Sequence, residues 1–516
     1  MAPQRKSTGP RSRTGCITCK LRHIKCDEAK PTCSQCERAG YKCEGYDNAS
    51  QAQLRRRIDS SQQPARRPPI SADHCIVLRP ETREERRCAD FFHAKTAQAF
   101  SGIFDSALWS YLIPQISEGE PAIRHAMVAI GAIHTEYQTG TARPLVHSSS
   151  TKQFVLQQYN KAIRSLIDGM TTTSSQNWEL TLTTCCLFIC LEILRGNNTQ
   201  ALDHIEAGLK MLFQREQKGI AAGNGSEIYR ELRQLLTRMN LQASFLGRIL
   251  HPLEFSTANA ITSLINLTSL SQARSYLDQL MNRALIFIRL VGLERKKRDA
   301  QQQQKLELQQ QQLLLEFDSF LASLDKLLQK MGPFIQQSDL RASLMLKIFH
   351  RTSLVWILTV MERDESVFDH HIPDFNAIVG YAEKVVQLTS AIDKQIDNQS
   401  RFSLEGELIA PLYFSANKCR NPSIRRRAIV LMSRYGKIEG MWNASHYAAV
   451  SRLIMEVEEG ACSGVVESEK DVEPRARVYE CFHFDEVKIS PWQVMLLFKP
   501  DGLDGEFQPR TEVVTW

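Results

Sequence analysis

From about residue 84 onward, apolar positions recur with the period of an α-helix for some 370 residues. In KQFVLQQYNKAIRSLI, Val155, Tyr159, Ala162, Ile163, Leu166 and Ile167 share one face. AIRHAMVAIGAIHTEY, from 122 to 137, is apolar nearly all round and predicts a helix buried on every side. In the glutamine-rich stretch 299–330, Leu306, Leu313, Phe320 and Leu327 recur every seven residues, with Phe317 and Leu324 between them, as a coiled-coil seam requires. Gln310 interrupts that seam. An intramolecular helix packed on the core, with solvated glutamines at its start, is favoured over a dimer seam, and a glutamine-rich activation surface is a third reading. The most apolar run, LTTCCLFICLEIL from 182 to 194, contains Glu192 and is well short of the about 20 residues that span a bilayer, so no membrane partner is expected.

The pattern changes at both ends. Beyond 456, VEEGACSGVVESEKDVEPRAR predicts an acidic loop, and RVYECFHF, QVMLLF and EVVTW predict a small terminal sheet. Ahead of the helical body, YDNASQAQLRRRIDSSQQPARRPPISAD is polar, rich in arginine and broken by Pro64, Pro68 and Pro69, which predicts a disordered linker without heptads. The expected organisation is therefore a basic disordered tail (1–14), a cysteine-rich module (15–46), a linker (47–83), a large all-α domain (84–455) and an acidic loop with minor β structure (456–516). A body of this length can bury a sizeable core.

The cysteine-rich module carries the most specific chemistry. Cys16, Cys19 and Cys26 recur seventeen positions later as Cys33, Cys36 and Cys43, each half reading C-x2-C-x6-C. The N-terminus is polar and basic with no secretory h-region, so a reducing compartment and metal ligation are expected rather than disulfides. Two tetrahedral zinc ions need eight ligand positions and the repeat supplies six sulfurs, so two sulfurs must bridge or one ion is short. A single four-cysteine zinc with two spare thiols is the alternative, and it leaves the duplication unexplained. Nothing in the stretch keeps a coordination position open for a catalytic water.

Charge then points to a partner. Lys20, Arg22, His23 and Lys25 fill the first half between Cys19 and Cys26 with no acid among them, whereas the second half mixes Glu37 with Arg38 and Lys42. Residues 1–87 carry 19 Lys and Arg against 10 Asp and Glu, while the rest of the 516-residue chain sums to −2. A basic N-terminus on a near-neutral body is the electrostatic footprint of nucleic-acid binding. Solvated charges on a short helix would look the same, but a metal-held module presents little else outward.

These residues carry a resemblance. C-x2-C-K-x-R-H-x-K-C-D-x4-P-x-C-x2-C-x6-C, with Pro31 between its halves, resembles the six-cysteine binuclear zinc cluster of fungal transcription factors. The resemblance implies two zinc ions bridged by Cys16 and Cys33, and a first helix that enters the major groove of double-stranded DNA to read a CGG triplet. His23 stands where the family usually has a base-reading lysine or arginine, a departure that keeps a donor, and Lys25 precedes the third cysteine as the family expects. FFHAKTAQAFSGIFDSALWSYLIPQISEGEPAIRHAMVAIGAIH and KCRNPSIRRRAIVLMSRYGKIEGMW resemble the regulatory domain of one subgroup. The family usually dimerises through a coiled coil after the cluster. No heptads follow the cluster here, so a weak homodimer would have to form through the α-helical body.

Other features invite readings that the sequence does not favour. His370 and His371 beside Asp369 suggest a metal site, but adjacent residues on a helix point apart, and an exposed loop is expected. Arg425, Arg426 and Arg427 beside Pro422 read as the solvated start of a helix, and Cys185, Cys186 and Cys190 as core. No phosphate loop, dinucleotide glycine pattern, nucleophile elbow or HExxH occurs, so no enzyme is expected. The expected function is that of a nuclear, sequence-specific, DNA-binding transcription factor working with the RNA polymerase II machinery, as a pathway-specific regulator of metabolic genes. The competing class is a zinc-stabilised protein-interaction or co-regulator protein.

Overall fold

The computed structural model describes residues 14–16, 18–19, 22, 24–43, 45, 82–104, 106–139, 149–172, 178–217, 226–245, 266–293, 300–396, 401–462, 464–483 and 492–515. The linker expected at 47–83 and the tail expected at 1–14 lie almost wholly outside them. The chain divides into two compact units, 1–76 and 77–516. In the first, helix α1 (Ser34–Arg38) follows a cis Lys30–Pro31 bond.

The second unit begins at a capping box. Thr82 Oγ1 accepts from Glu85 N at 3.2 Å and the Glu85 carboxylate accepts from Thr82 N at 3.0 Å, which starts α2 (Arg83–Phe91). Glu85 also receives Gln158 Nε2 at 2.7 Å and Lys161 Nζ at 3.0 Å from α6. Burial resists its ionisation, but these partners prevail and hold the carboxyl down at about 2. After α3 (Ala97–Ser101) and α4 (Ile113–Gly119), α5 (Pro121–Thr139) crosses α2 so closely that a Cβ on Gly131 would stand 2.2 Å from the Cys88 carbonyl oxygen. With α6 (Ser149–Thr172), α7 (Trp178–Leu194), α8 (Asn198–Gln217) and α9 (Glu227–Phe245), these helices enclose the first core. Every residue from Leu182 to Leu194 is buried, Glu192 included, and its carboxylate holds Arg195 Nη1 at 2.8 Å and Asn197 Nδ2 at 2.7 Å. No helix among the described residues is long and apolar enough to cross a membrane.

A second core is built from α10 (Leu270–Leu293), α11 (Ala300–Met331), α12 (Gln337–Thr359), α13 (Ile372–Ile396), α14 (Ile409–Lys418), α15 (Pro422–Tyr435) and α16 (Ala444–Gly460). The glutamine-rich stretch is α11, and its seam faces inward: Leu306, Leu313, Phe317, Phe320, Leu324 and Leu327 are all in this core. Gln310, which breaks the heptad, donates Nε2 to the Ile357 carbonyl at 2.8 Å. Small strands β1 (Phe402–Ser403), β2 (Ile438–Glu439) and β3 (Trp442–Asn443) form a three-stranded sheet, β1 parallel and β3 antiparallel to β2. The terminal sheet predicted from the sequence is present as β4 (Glu480–His483), β5 (Trp492–Phe498) and β6 (Gln508–Val514), antiparallel with β5 central and Trp492 opposite Val514. Val478, Val494, Leu496 and Val514 pack on Val450 and Ile454 of α16.

Three expectations are corrected here. The helix before the acidic segment runs on to Gly460, which places Glu458 in its last turn, where it is fully buried. Arg425 is not a solvated helix start. Its guanidinium is wholly buried, bonded to Glu458 and, through Nε, to the Ala416 carbonyl at 2.8 Å, because α16 packs over the first turn of α15. Arg426 pairs with Glu459, and Arg427 forks onto Glu383 at 2.9 and 2.7 Å. His370 and His371 lie on a 3-10 turn leading into α13 rather than in an open loop, and Asp369 accepts two bonds from buried Arg477 at 2.9 and 2.7 Å. Cys185, Cys186 and Cys190 are buried in the first core, as expected.

Glu458 anchors this region. Arg420 Nη2 reaches it at 3.0 Å, the Val478 amide at 2.7 Å, and Arg420 Nη1 continues to Glu365 at 2.9 Å. Burial opposes its charge, yet Arg420 and Arg425 outweigh that and hold the carboxyl down at about 2. Glu458→Gln leaves two buried guanidiniums short of a counter-charge and is expected to cost about 3–5 kcal/mol, read as a lower urea midpoint at pH 7. Because the folded pKa is depressed, this stabilisation is complete above the unfolded value of about 4.3 and is lost as pH falls toward 2, so the variant should show a shallower acid-induced loss across that window. An unchanged midpoint at pH 7 would contradict the assignment.

Candidate metal centre and nucleic-acid interface

The duplication seen in the sequence is also a duplication of backbone bonds. Ile24 N donates to Cys19 O at 3.2 Å, and seventeen residues on, Tyr41 N donates to Cys36 O at 3.0 Å. Each bond folds its C-x2-C turn back on itself. Asp27 accepts from Ser34 N at 3.2 Å and Ser34 Oγ at 2.5 Å, which ties the loop between the halves to the start of α1. Thr18 Oγ1 donates to Lys42 O at 3.1 Å, and Thr14 Oγ1 to Glu28 at 2.6 Å. Gly15 is required by close approach, since a Cβ there would stand 2.8 Å from the Cys26 Cβ.

This scaffold turns all six sulfurs inward. Cys16, Cys19, Cys26 and Cys33 form one group of four and Cys16, Cys33, Cys36 and Cys43 another, with the ligand atoms in each within 4.8 Å of one another. Cys16 and Cys33 belong to both groups. Their sulfurs are 3.6 Å apart, and those of Cys19 and Cys33 are 3.5 Å apart, far beyond a disulfide bond of about 2.05 Å. Sulfurs bound tetrahedrally at about 2.3 Å from one zinc stand about 3.8 Å from each other, so the donor set fits that ion in type and spacing. Backbone amides support the sulfurs: Cys19 N points at Cys16 Sγ, and both Cys16 N and Glu28 N point at Cys26 Sγ, each at 3.4 Å.

The electrostatics show what this cage needs. Loss of water pushes the Cys16 thiol up to about 12 and raises Cys19 and Cys33 as well. A cation among them reverses that preference, because thiolate is the ligating form.

Of the four residues expected to face DNA, Lys20 and His23 lie outside the described residues. Lys25 is exposed. Arg22 is half-buried, its guanidinium carbon 3.9 Å from the centre of the Tyr41 ring. Tyr41 was not among the sequence candidates, though it is the seventeen-residue counterpart of Ile24 and so sits where the second half meets the first. Asp27 and Ser34 were missed too, since a carboxylate and a serine seven residues apart carry no local pattern.

Two family descriptions match the chain: the fungal Zn(2)-Cys(6) binuclear cluster domain over residues 14–53 and the fungal specific transcription factor domain over residues 87–448. The aspercryptin biosynthesis cluster-specific transcription regulator of Emericella nidulans is 23% identical, with 92% of each chain covered. White-opaque regulator 2 of Candida albicans is 55% identical over 9% of this chain and 10% of its own, and the transcriptional regulatory protein moc3 of Schizosaccharomyces pombe is 50% identical over 9% of each. No solved structure matches. With a cysteine cage that suits zinc at one end and the regulatory domain spanning most of the remainder, the chain belongs to the fungal-specific transcription factors that carry a Zn(2)-Cys(6) binuclear cluster.

Proposed function

We propose that this chain is a nuclear, sequence-specific DNA-binding regulator of RNA polymerase II transcription, whose first cluster half reads a CGG-like triplet in double-stranded DNA. The observation that carries this reading is the pair of sulfur tetrads sharing Cys16 and Cys33, which gives a short segment without an apolar core a means of rigidity. Cys16, Cys19, Cys26 and Cys33 hold one zinc ion, and Cys16, Cys33, Cys36 and Cys43 hold a second. When bound, zinc supplies the positive charge that keeps the thiols ionised and the rigidity that orders the unit. His23 donates to a guanine edge, while Lys20, Arg22 and Lys25 neutralise phosphates. Arg22, laid on Tyr41, is only partly buried.

The relative in Emericella nidulans is named for one biosynthesis cluster, which supports a pathway-specific role in metabolic gene control for this chain as well. A homodimer would have to use a face other than the buried α11 seam, and on that helix Leu308 and Leu315 are 59% and 63% exposed. Titration of full-length protein into CGG-containing duplex at rising salt tests the central reading. A DNA binder loses affinity steeply as salt rises, whereas a protein-interaction module gives no saturable duplex binding.

Two further outcomes are expected. Purified full-length protein should hold two zinc ions by elemental analysis, and Cys33→Ala should lose both, because a bridging sulfur serves both sites. A mutant that keeps one tightly held zinc would refute the bridge. On DNA, His23→Ala should flatten discrimination between cognate and random duplex by about 1–3 kcal/mol, whereas Lys20→Ala should weaken all duplexes alike. Equal losses on both duplexes for His23→Ala would remove it from base reading.

A further inference from the structure

In the cysteine-held unit, the way α1 ends decides where the Tyr41 ring stands. Gly40 takes a left-handed φ of +68°, its amide donates to the Glu37 carbonyl at 3.2 Å, and the Tyr41 amide donates to the Cys36 carbonyl at 3.0 Å. These two bonds close the helix as a Schellman motif, with glycine where a Cβ would be strained. In that motif the residue after the glycine often packs an apolar side chain back on the helix. Here the helix offers Cys36, a sulfur of the cage, and Tyr41 stays 55% exposed.

What the ring meets instead is a cation from the other half. The Arg22 guanidinium carbon lies 3.9 Å from its centre, inside the about 6 Å within which a cation is attracted to an aromatic face. Backbone contacts bring the two partners together. Arg22 N donates to Thr18 O at 3.1 Å, and Thr18 Oγ1 donates to Lys42 O at 3.1 Å, so the turn carrying Arg22 is tied to the residue beside Tyr41. Ile24, the counterpart of Tyr41 in the first half, has no π face to offer. Among the described residues no carboxylate pairs with Arg22, so nothing there neutralises its charge.

We propose that Tyr41 is a positioning residue for DNA binding: its ring holds the Arg22 guanidinium in place before the duplex arrives, and Arg22 then meets a phosphate. This role rests on the reading of the first cluster half as the half that faces DNA. A free arginine loses many rotamers when it binds, and the stack removes part of that cost in advance. Stacking occupies the face of the guanidinium, whereas phosphate is bound through the N–H groups at its edge, so the two contacts are compatible. Nη1 is enclosed, and the phosphate contact falls to the other guanidinium nitrogens.

A double-mutant cycle on duplex binding by the full-length chain tests this role. Tyr41→Leu, which keeps an apolar side chain and removes the ring face, should weaken binding about threefold, equally on CGG-containing and random duplex, since a phosphate carries no sequence. Tyr41→Phe keeps the face and should bind as wild type does. In an Arg22→Gln background, Tyr41→Leu should change nothing further, because the ring acts through that side chain. Every variant should retain the zinc content of wild type by elemental analysis. Four results would each overturn the role and leave the DNA-binding reading intact: equal affinity of Tyr41→Leu and wild type, a loss in Tyr41→Phe as large as in Tyr41→Leu, an undiminished Tyr41→Leu effect in the Arg22→Gln background, or zinc loss from Tyr41→Leu. A wild-type chain that binds no duplex would overturn both.

Discussion

The Glu458 carboxylate cannot shed its water unless opposite charge replaces it at hydrogen-bond distance, and much of the body's C-terminal half is arranged to meet that demand. Arg420 comes from the α14–α15 junction, Arg425 from the first turn of α15, and the Val478 amide from the approach to the terminal sheet. Arg420 passes the network to Glu365, beside which Arg477 clasps Asp369. Four segments distant in sequence are thereby held in one register. Apolar packing alone tolerates sliding, whereas a buried ion pair that shifts leaves a charge unmatched, so the network specifies the arrangement more than it adds to net stability.

The same device recurs at other helix junctions. Glu85 joins α2 to α6, Glu316 of α11 takes a fork from Arg283 of α10, and Glu405 with Asp278 neutralises Arg238 and Arg274. In each case a long helix with a sound apolar stripe is fixed at one further point by a carboxylate that could not be buried alone.

The small N-terminal unit meets the opposite version of the problem. Its core is sulfur, and buried thiols resist ionisation until a cation is present. The body is held by apolar area and arginine–carboxylate pairs, while the cluster depends on metal. Removing metal should therefore affect one unit and leave the interactions within the other in place. The basic stretch between Cys19 and Cys26 belongs in sequence to the cysteine-held unit.

The cysteine repeat, the basic segment between Cys19 and Cys26, the helical body and the terminal sheet were legible in the chain because each is written in local spacing: metal ligands at fixed offsets, charge in one short stretch, hydrophobicity at a period of 3.6 or 2. The heptad of 306–327 was legible as a seam, but only packing decided that it faces the protein's own core, because the same period serves either partner. Glu458 in an acidic run and Arg425 in a string of arginines look like solvated charge from their neighbours alone. What buries them is proximity between α15 and α16, and Tyr41 meeting Arg22 or Gln242 meeting the Leu404 carbonyl is of the same kind. Local spacing determines which elements form, whereas the matching of one buried charge or polar atom by another far along the chain exists only once the tertiary structure has removed the water between them.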